Sequence, residues 1–142
     1  MSIKDTKKWF EQAIPRPTDE QKAIQIGCHL EEVEEMLDEI NLDSSGAHQE
    51  ILIESQNFKQ PSDYYIHKAT DVNDIALLDS LADQIVTAIG VAHMFGFDIE
   101  GALKEVNRSN FSKFEDGKPV FDSNGKITKG KNYTPPNLKP FV

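Results

Sequence analysis

The chain has 142 residues, 27% of them charged and 38% in the hydrophobic set, which suits one folded domain with a single core and argues against a disordered chain. Its formal net charge of −9 argues against a nucleic-acid duplex as partner, because an acidic surface repels phosphate backbones unless a basic patch or a metal intervenes. No apolar run reads as long enough to span a bilayer, MSIKDTKKWF lacks the apolar core of a signal peptide, and the one cysteine, Cys28, cannot form an internal disulfide, so a cytoplasmic protein with no membrane partner is expected.

In chain order, Asp5 to Ala13 can form a short helix that ends before Pro15 and Pro17. Thr18-Asp19-Glu20-Gln21 is a capping box, predicting a second helix to about Ile40 with an apolar stripe at Ile26, Leu30, Val33, Leu37 and Ile40. Asn41 to Gly46 breaks it. A third helix is expected from about Ala47 to Phe58, with Pro61-Ser62-Asp63 closing that region. A fourth should run from about Val72 to Phe95, with Gly96 as its C-terminal cap; being apolar on more than one side, it is expected at the centre of a bundle. Asp98 can cap a fifth helix reaching about Phe114. Beyond it, Asn124-Gly125 lies between short β-prone runs and signals a type I′ hairpin, and YTPPNLKPFV reads as an extended proline-rich tail. The expected fold is all-α: one domain over 1–142, with four or five bundled helices over about 5–114 and a hairpin and tail over about 115–142.

Two acidic groups stand out. Residues 31 to 39, EEVEEMLDE, hold six acids and no base. Glu31, Glu32 and Glu35 share a helix face at spacings of three and four, and like charges at those spacings cost a few tenths of a kcal/mol per pair. A solvated acidic face is the ordinary explanation of such a run. Asp79 and Asp83, four apart, share a face of the apolar fourth helix, where a buried ion pair would need nearby cations that this helix does not supply. If the second and fourth helices pack antiparallel, these carboxylates face one another and raise each other's pKa values unless a cation intervenes. All-oxygen ligation favours Mg²⁺, with Mn²⁺ as a substitute, and the lack of a suitable Cys/His cluster points the same way.

The patterns LEEVEEM at 30 to 36 and LDSLADQI at 78 to 85 resemble the paired signatures of the all-α nucleoside triphosphate pyrophosphohydrolases, the superfamily of MazG, phosphoribosyl-ATP pyrophosphatase and the dimeric dUTPases. Glu31, Glu32 and Glu35 match its EExxE pattern. Asp79 and Asp83 stand at the first and last acids of its EExxD pattern, while Ser80 replaces the middle one. The segments AIGVAHMFGFDIEGALKEVNRSNFSKF and KGKNYTPPNLKPF are similar to a small branch of this superfamily found in bacteria and their phages. The resemblance implies Mg²⁺-dependent hydrolysis of a nucleoside triphosphate to the monophosphate and pyrophosphate. It implies metal ligation by Glu31, Glu32, Glu35, Asp79 and Asp83, with Glu31, Glu32 and Glu35 as the catalytic set and a proton acceptor such as Glu31 or Glu32. It also implies phosphate contacts near Asn107, Arg108, Asn110 and Lys113, where the ordinary reading is the polar end of a helix with Lys113 offsetting the C-terminal dipole.

Trp9 and Phe10 read as packing anchors before nucleobase contacts, and His29 and His93 as packing residues before ligands, since no HxxxH pair supports zinc. The resemblance implies a homodimer or homotetramer, and the tail, unable to bury itself, is expected to reach across a neighbouring copy. The rival to an enzyme is a non-enzymatic acidic binding or oligomerisation module. Within the enzyme class, a phosphoribosyl-ATP or dUTP-type substrate stays open.

Overall fold

The computed structural model describes residues 2–142, and over them the chain is mostly helical, in keeping with an all-α fold. The order is α1 (Ser2–Ala13), α2 (Asp19–Glu39), α3 (Gly46–Lys59), α4 (Asp63–Thr70), α5 (Asp74–Met94), α6 (Ile99–Phe111), β1 (Val120–Phe121) and β2 (Ile127–Thr128), then a 3₁₀ turn at Lys139–Phe141. The chain divides into two compact units. One comprises Met1–Pro15, Asn73–Asp122 and Ile127–Val142; the other comprises Arg16–Val72 and Ser123–Lys126.

The second unit is a helical layer in which α2 packs on α3 and α4. The Thr18 capping box forms in full: the Gln21 backbone N–H donates to Thr18 Oγ1 at 3.1 Å, and the Thr18 N–H donates to Gln21 Oε1 at 2.9 Å. Ala23, Ile24 and Gly27 are the buried residues of α2, while the expected stripe is only half-buried and its last member, Ile40, is exposed. Contact with α3 is closest at Gly27. A Cβ there would lie 2.7 Å from the Lys59 backbone nitrogen and 2.8 Å from the Ser55 carbonyl oxygen. Ser55 uses the approach, its hydroxyl donating to the Gly27 carbonyl at 2.9 Å. Helix α4 is an addition to the expected elements. Pro61 stops α3, but Ser62 occupies the N-cap position of a new helix, so a stop signal and a start signal coincide.

In the other unit, α1 packs on α6. Trp9 and Ala13 are buried with Phe114; the Trp9 and Phe114 rings stack at 5.5 Å, and Trp9 Nε1 donates to the Asn110 carbonyl at 2.8 Å. The packing reading of Trp9 therefore holds. Asp98 caps α6 by accepting the Gly101 N–H at 2.9 Å, and Gly96, at φ +77°, turns the chain just beyond α5.

Four expectations need correction. Helix α5 is not at the centre of a bundle within this chain: Ile75, Leu78, Val86 and Met94 are 83%, 69%, 65% and 83% exposed. At 21 residues it is also long and apolar enough, by length and composition alone, to cross a membrane, contrary to the reading that no such run exists. The type I′ geometry lies at Asp116-Gly117, where φ is +51° and +73° and Glu115 and Lys118 exchange backbone hydrogen bonds of 2.9 Å. At Asn124-Gly125 only the glycine has positive φ, because the Phe121↔Ile127 register leaves Asp122 to Lys126 in a longer loop. Finally, the tail lies along α6 of its own chain. Ser109 Oγ donates to the Thr134 carbonyl at 2.9 Å, the Asn137 N–H to Glu105 at 2.9 Å, and the Asp98 N–H to the Phe141 carbonyl at 2.9 Å.

Candidate functional site

Helix α2 carries Glu31, Glu32 and Glu35 on one face of the second unit, Glu31 half-buried and the other two exposed. Both oxygens of Glu31 are engaged. Lys59 Nζ donates to Oε1 at 2.6 Å, and Lys126 Nζ donates to Oε2 at 2.8 Å. Burial pushes the Glu31 carboxyl up, but the hydrogen bonds and charges of Lys126 and Lys59 together outweigh it and leave the group below its ordinary value. Lys126 is raised, chiefly by the same bond. Glu35 moves the other way: burial raises it, and the charges of Glu32, Glu31 and Glu34 raise it further. This face thus has one acid neutralised by two lysines and another destabilised by its neighbours.

Asp79 and Asp83 lie on α5 in the other unit and are exposed over an otherwise apolar helix. The expectation that they sit buried is corrected with that of the helix. The Asp83 backbone carbonyl also accepts from Thr87 Oγ1 at 2.9 Å.

The four residues associated with phosphate are spread along α6 and its end. Asn107 is buried, and its Oδ1 accepts from Thr6 Oγ1 at 2.8 Å. Arg108 is committed to the tail: it forms a two-pronged pair with Glu105, both contacts at 2.8 Å, and donates to Thr134 Oγ1 at 2.6 Å and the Pro135 carbonyl at 3.1 Å. Those bonds, Arg108 first and the Asn137 N–H second, hold the Glu105 carboxyl down at about 2. Asn110 offers its carbonyl to Trp9, and Lys113 Nζ lies 6.0 Å from the centre of the Trp9 ring. A phosphate here would have to exchange protein partners at Asn107 and Arg108.

His29 and His93 are exposed. The histidine that matters structurally is His48, which no sequence motif singles out. Its Nε2 lies 2.7 Å from Glu34 Oε1 and 2.8 Å from Asp38 Oδ1. The signal that could have found it is Ser45, the N-cap of α3, which places His48 in the first helical turn, combined with the four-residue spacing of Glu34 and Asp38.

No protein-family model, no curated protein and no solved structure matches the chain.

Proposed function

We propose that the protein is an Mg²⁺-dependent nucleoside triphosphate pyrophosphohydrolase. The observation that carries the reading is the unbalanced negative charge at Glu32 and Glu35 on α2, with Glu35 raised by burial and by Glu32, Glu31 and Glu34. Acids crowded this way gain from a divalent cation, and oxygen donors suit Mg²⁺ or Mn²⁺. The ligands proposed are Glu31, Glu32 and Glu35 of α2 with Asp79 and Asp83 of α5. Bound Mg²⁺ supplies charge neutralisation of the polyphosphate and acidifies a coordinated water. Of the α2 carboxylates proposed, Glu32 and Glu35 are exposed and able to accept a proton at once; Glu31 must first release Lys59 or Lys126. Lys113 and Arg108 are the proposed phosphate contacts, with Asn107 and Asn110 supporting them from the same segment. The products are the nucleoside monophosphate and pyrophosphate, and a cytoplasmic setting fits the substrate. Incubation with a panel of dNTPs and Mg²⁺, with pyrophosphate as readout, tests it; no turnover of any nucleotide would refute it.

We further propose that the chain acts as a homodimer or homotetramer. The exposed apolar residues of α5 support a second copy as the cover for this helix. A bilayer is the weaker alternative, because Asp79 and Asp83 would each cost about 2.5 to 3.5 kcal/mol near the middle of a spanning helix. The same exposed helix favours the second reading, a non-enzymatic oligomerisation module with an acidic face. That reading predicts no specific Mg²⁺ uptake by calorimetry.

A further inference from the structure

Another set of donors converges within the second unit, where α2 faces the start of α3. Glu34 and Asp38 are one helical turn apart, and His48 enters from the first turn of α3. The His48 backbone is fixed there by its N–H bond to Ser45 Oγ at 3.1 Å. Its side chain is 6% exposed, that of Glu34 12%, and that of Asp38 45%. Although Nε2 is 2.7 and 2.8 Å from the two carboxylate oxygens, it makes a hydrogen bond to neither. Both oxygens stand within ion-pair range, yet this nitrogen forms no hydrogen bond, which needs direction as well as distance. A buried polar atom left without a bond costs about 1 to 3 kcal/mol, so a buried imidazole nitrogen aimed between two acids calls for something that does not need a linear N–H.

We propose that Glu34, Asp38 and His48 form a divalent-metal site, separate in its residues from the all-carboxylate set, and that it takes a borderline first-row ion of the Zn²⁺ type. The three donor atoms all lie within 4.8 Å of one another. Two donors bound at about 2.1 Å on a tetrahedral ion lie about 3.4 Å apart, so the 2.7 and 2.8 Å separations here open by about 0.6 Å when the ion enters. One imidazole nitrogen with two carboxylates suits Zn²⁺ and its neighbours, whereas Mg²⁺ prefers oxygen alone. Asp38 opens the site to solvent, and three protein ligands leave room for water. Metal capture uses the Nε2 lone pair and leaves the ring proton on Nδ1, which is 3.4 Å from Gln49 Nε2. Turning the Gln49 amide over presents its oxygen to that proton, the outer hydrogen bond that ligating histidines commonly make. Gln49 gives up only long contacts in doing so, since its bond to the Asp43 carbonyl is also 3.4 Å. An ion held this way clips α2 to α3.

The test uses the full chain stripped with chelator and titrated with Zn²⁺ alone by calorimetry, with Co²⁺ absorption as a second readout. One Zn²⁺ per chain should bind, excess Mg²⁺ should not displace it, and the melting temperature should rise with Zn²⁺. Glu34→Gln and His48→Gln should each weaken uptake by about tenfold or more, as expected for loss of a ligand. Should His48→Gln fail to fold, Asp38→Asn, at an exposed position, gives the same reading. Glu35→Gln should leave Zn²⁺ uptake unchanged, which separates this site from the hydrolase proposal. No uptake by the folded chain, equal uptake by Asp38→Asn, or loss of uptake in Glu35→Gln would overturn the assignment.

Discussion

Lys126 Nζ lies 2.8 Å from Glu31 Oε2, a pairing that reaches across 95 positions of sequence. It supplies a cation to an acidic helix whose own stretch from Glu31 to Glu39 has none. Lys59 completes the arrangement at 2.6 Å. Because Glu31 sits below its ordinary value, the stability it contributes is present above the unfolded carboxylate pKa of 4.5 and is lost as pH falls through the depressed folded value. Because Lys126 is raised, its share is present below its unfolded value of 10.5 and is lost as pH rises through the higher folded one. Lys126→Met should therefore cost about 0.5 to 1 kcal/mol at neutral pH, discounted for the solvent that reaches both groups. The gap between urea melts of the two proteins should shrink as pH is lowered below 4.5; a gap that stays equal to that at pH 7 throughout acidification would contradict the ion pair.

Glu35 has the opposite sign. Its raised folded value means that its contribution is present below the unfolded value of 4.5 and is lost as pH rises through the folded one. At neutral pH its ionised form works against the fold. Glu35→Gln should gain a few tenths of a kcal/mol there, kept small by exposure, while nucleotide hydrolysis falls by roughly 100-fold or more if the carboxylate serves the metal. A stabilised but fully active Glu35→Gln protein would keep the electrostatics and remove the catalytic role.

Helix α5 makes a prediction about mass. Leu78 and Ile85 are seven residues apart on one side of the helix and are 69% and 51% exposed. If a second copy covers this side, sedimentation of the wild-type chain shows a dimer or tetramer, and Leu78→Lys with Ile85→Lys shows a monomer. A wild-type monomer at micromolar concentration would remove self-association from the account.

At Gly27 the constraint is space. A methyl group there meets backbone atoms of Ser55 and Lys59 at 2.8 and 2.7 Å, and neither can swing aside as a side chain could. Gly27→Ala should destabilise by about 1 to 3 kcal/mol through separation of α2 from α3. Ser55→Ala, which loses the 2.9 Å bond to the Gly27 carbonyl, should cost about 1 kcal/mol. Equilibrium urea unfolding distinguishes the two sizes.

Features written in neighbouring residues are legible from the amino-acid order alone. The capping box at Thr18 and Gln21, the Asp98 cap and the Gly96 turn each need only a few positions in a row, and each forms as expected. The misreadings share a cause. Lys59 and Lys126 reach Glu31 from 28 and 95 positions away, beyond the span of helical spacing. His48 gains its meaning only when α3 folds back on Glu34 and Asp38. The apolar composition of α5 says that it needs cover but not that Ile75, Leu78, Val86 and Met94 lie exposed in this chain. At Asn124-Gly125 the turn chemistry is sound, yet strand register leaves it in a longer loop, while a separate tight turn closes at Asp116-Gly117.

The pairing of α1 with α6 has a consequence for biosynthesis. Trp9 waits for the Asn110 carbonyl, 101 positions later, while the helices from Asp19 to Thr70 find one another within a continuous stretch. At ribosomal speeds of about 5 to 20 residues per second, α1 spends roughly 5 to 20 s without its partner. During that interval its tryptophan is open to chaperones and to neighbouring nascent chains, so expression yield should respond to elongation rate more than the finished protein's melting point would suggest.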